Sequence, residues 1–256
     1  MRILISNDDG INAPGINALR IALEDLGEVY VVAPDRPRSA TGLGITIHKP
    51  LRAEEVTFEG GKSKGFAVNG TPSDCVKLAI QALLPKLPDI VVSGINLGAN
   101  LGTDVLYSGT VSAALEGVIN GVPSVAVSLA TWECPEFGYA AEFTRKLVKV
   151  VLEKGLPEET VLNVNFPLTG CEEKPKKVSI TSLGKRRYEN SFEKRLDPRG
   201  KSYYWMGGEV LDVNAAPGTD IAAVKSGEIS ITPLLFDVTN AGFMNKVDTW
   251  GLNDLL

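Results

Sequence analysis

Histidine is nearly absent from this chain of 256 residues: His48 is the sole example. A zinc centre of several histidines is thereby excluded, and a Ser-His-Asp triad would have to run through that one residue. Cysteine is also scarce. Cys75, Cys134 and Cys171 are odd in number and widely spaced, which argues against a disulfide framework and for a reducing, cytoplasmic setting. No apolar run approaches a membrane span, and Met1-Arg2 leads directly into a strand-like segment rather than a signal peptide, so no membrane partner is expected. Basic residues are in deficit, 26 against 31 acidic ones, and the net charge of −5 disfavours general binding to nucleic acid. What is present is 44% hydrophobic and 22% charged residues, the balance of an ordinary globular domain long enough to bury a substantial core.

Short apolar runs alternate with helical periodicity through the first two-thirds. "RILIS", "EVYVVAP", "DIVVSG", "SVAVSLA" and "VLNVNF" are nearly continuous in Val, Ile and Leu, as parallel strands covered on both faces require. "PGINALRIALEDLG", "TPSDCVKLAIQALL", "SGTVSAALEGVING" and "YAAEFTRKLVKVVLEKG" lie between them as helices. Thr71 before Pro72 reads as a cap ahead of a first-turn proline, and Gly27, Gly121 and Gly155 read as helix stops. The implied fold is α/β: a Rossmann-like, doubly wound, mostly parallel sheet in one domain over 1–256. Beyond Phe166 the texture turns to short β segments, giving a hairpin region at about 178–210 and a C-terminal arm at 237–256. His48 sits in "GITIHKP", an alternating stretch that reads as a short strand, and is expected to be structural or solvent-facing.

Ligands of open α/β sheets bind beyond the carboxyl ends of the strands, where strand order reverses. Four polar clusters fall in such loops: "SNDDGIN", "PDRPRSATGLG", "SGINLGANLGTDVLYSGT" and, more weakly, "LATWECPEFG". Asp8 and Asp9 are adjacent like charges that raise each other's pKa. They can share one site only if the backbone turns there, and Gly10, Asn12, Pro14 and Gly15 supply turn chemistry. A hard divalent cation held by oxygen ligands would relieve the repulsion. Equally, one aspartate could cap the next helix while the other is solvated. The third cluster is rich in Gly and Asn, carrying Asn96, Asn100, Ser108, Gly109 and Thr110 into a helix whose free N–H groups suit phosphate. It matches neither G-x-G-x-x-G nor a P-loop. Arg36 and Arg38 could grip phosphate, but pairing with Asp35 is the simpler reading.

Together, "ILISNDDGINAPGI", "VVAPDRPRSATG", "VNGTPSDCV", "DIVVSGINLGANLGTDVLYSGTVSAALEG" and "ISITPLLFDVT" resemble the SurE family of stationary-phase survival proteins, in order and over nearly the whole chain. The resemblance implies a metal-dependent nucleotidase with one divalent ion per subunit, Mg²⁺ or Mn²⁺, held by Asp8, Asp9, Ser39 and Asn96. It implies that Asn12 and the turn of Ser108, Gly109 and Thr110 hold the substrate phosphate, with Asp8, Asp9 and Asn12 as the catalytic set. Nucleoside 5′- and 3′-monophosphates would be hydrolysed, and polyphosphate in some members. A homodimer or homotetramer built by exchange of hairpins and C-terminal arms is also implied. An aspartyl-phosphate phosphatase would carry D-x-D where this chain has adjacent aspartates. A non-catalytic nucleotide-binding regulatory module is the alternative on the same fold.

Overall fold

A computed structural model describes residues 1–131, 136–167, 174–189 and 192–256. The reading of "LATWECPEFG" falls in part on 132–135, and Cys134 and Cys171 lie outside the described residues.

Strands β1 (Arg2–Ser6), β2 (Glu28–Pro34), β3 (Ala53–Thr57), β4 (Lys64–Val68), β5 (Ile90–Leu97), β6 (Ser124–Leu129), β7 (Thr160–Phe166), β8 (Val178–Ile180) and β13 (Ile229–Leu235) form one sheet. Its order is β3-β4-β2-β1-β5-β6-β7-β13-β8. The six strands from β4 through β7 are mutually parallel, while β3 pairs antiparallel with β4, and β13 pairs antiparallel with β7 and parallel with the edge strand β8. Helices α1 (Pro14–Leu23) and α4 (Phe137–Lys154) cover one face; α2 (Pro72–Leu78) and α3 (Gly109–Ile119) cover the other. Alternation within a strand decides which face each side chain feeds. Ile3 and Ile5 pack with Ile16, Leu19 and Phe137, whereas Leu4 packs with Cys75, Val76 and Ala113. Such two-sided cover explains the uninterrupted apolar runs.

The chain winds from β1 to β2 and β4 on one side, then crosses back to β5 on the other. The strand order therefore reverses between β1 and β5, and the loops leaving their carboxyl ends face one crevice. Helix starts follow the expected chemistry at α2, where the Thr71 hydroxyl accepts from Asp74 N–H and the Asp74 carboxylate accepts from Thr71 N–H. Such a capping box contributes about 1 kcal/mol. Among the described residues, no helix is long and apolar enough to cross a membrane.

Two local expectations need correction. "GITIHKP" is irregular rather than a strand: Ile45, Ile47 and His48 are exposed, and no neighbouring strand pairs with them. Gly27 is not a helix stop, because α1 ends at Leu23; a Cβ at Gly27 would stand 2.2 Å from the Met1 carbonyl oxygen, so close chain approach explains it. The edge strand β3, its neighbour β4 and helix α5 (Asp220–Lys225), none longer than six residues, are too short to stand out in the sequence.

The hairpin region divides. β8 belongs to the main sheet beside β13, while β9 (Lys185–Glu189), β10 (Phe192–Leu196), β11 (Ser202–Met206) and β12 (Glu209–Asn214) form two two-stranded antiparallel sheets outside it, together the ribbon. β9 pairs with β12 and β10 with β11 in one shared register, from Tyr188 opposite Val210 to Leu196 opposite Ser202. Tyr188, Phe192, Leu196, Tyr204, Met206 and Val210 share one face of it and are exposed. The arm ends in α6 (Ala241–Asp248) and a 3₁₀ turn at Leu252–Leu255, all exposed apart from partly covered Val247.

Candidate active site

β1 stops at Ser6, so Asp8 and Asp9 escape strand alternation. The turn is closed by Asn7, fully buried, whose side chain donates to the Gly10 carbonyl at 2.9 Å and accepts from Gly10 N–H at 3.1 Å. Gly10 adopts φ +97°, a conformation open to glycine at little cost. Neither aspartate caps α1, whose first position follows Ala13 without a side-chain cap. Asp8 instead turns toward α3.

Asp8 Oδ1 accepts from the Thr110 hydroxyl at 2.5 Å, and Thr110 is wholly buried. Gly109 makes this approach possible, because a Cβ there would lie 2.7 Å from the Asp8 Cβ. Ser108 caps α3, its hydroxyl accepting from Val111 N–H at 3.1 Å. Burial pushes the Asp8 carboxyl up to about 6; hydrogen bonds from Thr110 oppose that, and the neighbouring charge of Asp9 adds to it. Burial also raises Asp9, whose Oδ2 accepts from Leu97 N–H at 3.1 Å. Asp8 is 7% exposed and Asp9 is half-buried. No ion-pair partner for either appears among the described residues.

Asn96 lies at the end of β5, where a register shift after Ser93 re-aims the strand. Its amide nitrogen donates to the Gly98 carbonyl at 2.7 Å, which leaves Oδ1 as the available oxygen. From the second loop, Arg38 N–H donates to the Asp8 carbonyl at 2.7 Å and brings the backbone before Ser39 to the aspartates. Ser39 and Asn12 are exposed at the rim. Arg36 and Arg38 each stand 3.6 Å from Asp35, the surface pairing the sequence suggested. His48 is exposed on a separate stretch. A cleft of about 480 Å³ adjoins Asp9 and Asn12 and is walled by Ile11, Arg36, Leu97 and Phe137.

Sequence reading missed the residues that hold the third loop. Asn100 N–H donates to Asn165 Oδ1 at 2.8 Å and its amide donates to Ser128 at 2.8 Å, while Asn163 and Asn165 both donate to its carbonyl. The available signal was asparagine in "VLNVNF", where polar residues interrupt an otherwise apolar strand.

At the reversal point Asp8 faces the capped start of α3 and Asp9 faces the end of β5, and neither has an ion-pair partner among the described residues. The family model described as survival protein SurE matches residues 3–190. The chain belongs to the SurE family. A protein of Moorella thermoacetica named 5′-nucleotidase SurE is 58% identical over 247 residues, covering 96% of this chain and 95% of its own. One of Heliobacterium modesticaldum with the same name is 56% identical over 250 residues, covering 98% and 92%. The crystal structure of the SurE protein from Aquifex aeolicus superimposes with a TM-score of 0.84 at 44% identity, covering 97% of this chain and 99% of that one.

The SurE donor set suits a hard cation. Among the described residues no group of three or more His, Cys, Asp or Glu side chains assembles, so any ion here would rest on two carboxylates completed by neutral oxygens.

Proposed function

We propose that this SurE chain is a divalent-metal-dependent phosphomonoesterase that cleaves nucleoside 5′-monophosphates to nucleoside and phosphate. The observation carrying this reading is the Asp8–Asp9 pair, buried and half-buried with no ion-pair partner among the described residues, Asp8 being bonded to Thr110 in the first turn of α3. Relatives named 5′-nucleotidase, 56% and 58% identical over nearly the full chain, support the substrate class.

Asp8, Asp9, Ser39 Oγ and Asn96 Oδ1 would hold Mg²⁺ or Mn²⁺, since every donor is oxygen. When bound, such an ion supplies Lewis-acid polarisation of the phosphoryl group and a more acidic water. The remaining work falls to this chain. Asn12 and the start of α3, at Ser108, Gly109 and Thr110, orient the phosphoryl oxygens, and the helix N-terminus favours their negative charge. Water oxygen bonds to phosphorus, the P–O5′ bond breaks, and the departing oxygen takes a proton to become the nucleoside hydroxyl. Phosphoryl transfer needs mainly positioning and charge stabilisation, so the lack of a histidine base is no obstacle. The cleft beside Asp9 and Asn12 has room for a nucleoside. A site that reads mainly the phosphoryl group also admits 3′-monophosphates and the terminal phosphate of polyphosphate.

The apolar ribbon face and the exposed arm support a homodimer or homotetramer formed by their exchange. Phosphate release from a panel of nucleotides and polyphosphate, after chelation and after adding each metal in turn, tests the whole reading. Activity should vanish with chelator and return with Mg²⁺ or Mn²⁺. Full activity in metal-stripped protein, or binding of nucleotide without turnover, would overturn it.

A further inference from the structure

Asp220 lies outside the site, yet it holds the loop that builds it. It is fully buried at the start of α5, and its carboxylate collects three main-chain N–H groups. Gly102 donates to Oδ2 at 2.7 Å; Gly184 and Ile221 donate to Oδ1 at 2.7 and 2.8 Å. Gly102 opens the 3₁₀ turn Gly102–Leu106 that runs into Ser108, and Gly184 is the residue before β9, at the root of the ribbon. The two chains come together closely: a Cβ on Gly102, at φ +55°, would sit 3.0 Å from the Gly184 carbonyl oxygen.

A second set of bonds closes the same joint. The Thr103 hydroxyl donates to the Arg186 carbonyl at 2.5 Å, and Asp104 Oδ2 accepts from Arg186 at 3.0 Å and from the Tyr188 hydroxyl at 2.8 Å. On its far side the turn reaches both working loops. Gly42 N–H, from the loop of Ser39, donates to the Tyr107 carbonyl at 3.2 Å, and Ser108 follows directly.

We propose that Asp220 is a positioning residue for phosphoryl transfer, pinning the Gly102–Leu106 turn to the root of the ribbon and so setting where the start of α3 stands over Asp8. The proposal rests on the phosphatase reading for its chemistry, while the clasp itself is a statement about structure. In Asp220→Asn the side chain keeps one acceptor oxygen and presents an N–H₂ donor to a main-chain N–H, so one of the two tethers must open. A buried N–H left without a partner is costly enough to move the loop.

The experiment compares wild type with Asp220→Asn and Asp104→Asn by hydrogen exchange of segment 98–110, inorganic phosphate binding, Mn²⁺ binding, and the separate kcat and KM for a nucleotide. For Asp220→Asn, exchange should rise in 98–110 while β1 and β6 stay protected. Phosphate binding should weaken about tenfold, the scale of a lost hydrogen bond to a charged group, with KM rising in step. Mn²⁺ affinity should change less, because Asp8, Asp9 and Asn96 are held by other bonds. Asp104→Asn should show the same pattern, smaller, and carries the test if Asp220→Asn does not fold. Unchanged exchange and phosphate binding in a folded variant would overturn the proposal. So would uniform loss of protection and of metal binding, which marks a merely structural role. A wild type that binds phosphate but releases none from any nucleotide refutes the phosphatase reading, and the exchange and phosphate arms still decide the clasp.

Discussion

Thr110 donates its hydroxyl hydrogen to Asp8 across 102 positions of sequence, at 2.5 Å and out of contact with solvent. This bond joins the loop after β1 directly to the first turn of α3, the two elements that the proposed function uses for the ion and the phosphate. Thr110→Val keeps the shape and removes the donor. Stability should fall by about 1–3 kcal/mol, the penalty for an orphaned buried partner, and turnover should drop with it. Thr110→Ser should restore both. Thermal melts and kcat for the three proteins check this, and a Val variant as stable and active as wild type would contradict it.

The elevated Asp8 carboxyl gives a signed pH dependence. Its folded value of about 6 exceeds the ordinary aspartate value of 3.8, so between those two the native state binds more protons than the unfolded one. In metal-free protein, stability contributed by this group is therefore full below about pH 4 and is lost as pH rises to about 6. Asp8→Asn removes the penalty. The variant should melt higher than wild type at pH 8, with the gain vanishing near pH 4, and should have no turnover at any pH. Equal melting temperatures at pH 8 would show that burial does not strain this carboxylate.

His48→Ala should keep most activity, because His48 is exposed on an irregular stretch. Removal of a general base costs on the order of a hundredfold or more. A loss of that size in steady-state assays would return the histidine to the mechanism.

Deletion of 241–256 should weaken self-association. That segment leaves Met244, Trp250, Leu252 and Leu255 exposed, with Phe243 and Trp250 packed edge to face on each other at 5.8 Å and Lys246 over the Phe243 ring. Apolar side chains displayed on a terminal arm mark a contact surface. Light scattering should report a dimer or larger for the intact chain and a smaller species after truncation. A monomeric intact protein would refute the assembly, and an unchanged oligomer after truncation would clear the arm of any role.

Much of the fold was legible because its signals are local. β1, β2, β5, β6 and β7 are buried on both faces and so must be continuously apolar, and Thr71-Pro72 with Asp74 writes the start of α2 into four residues. β3 escaped notice because it lies at the sheet edge, mostly exposed, where Glu54 and Glu55 cost nothing. "GITIHKP" misled for the converse reason: it alternates like a strand but meets no neighbour to pair with.

At the site the division is sharper. The identities of Asp8, Asp9, Asn12, Ser39, Asn96 and Ser108 through Thr110, and their places after successive strands, are properties of the sequence, since parallel strands deliver their following loops to one edge. Which oxygen each side chain leaves free is not. Asn96 exposes Oδ1 only because Gly98 takes its amide hydrogen, and Asp8 leans on α3 only because Gly109 lets the helix come within reach. Asp220 and Asn100 belong wholly to this second kind. Nothing near them in the chain announces a partner, because hydrogen bonds spanning 118 and 65 positions exist only after the sheet has closed and brought distant backbone into one crevice.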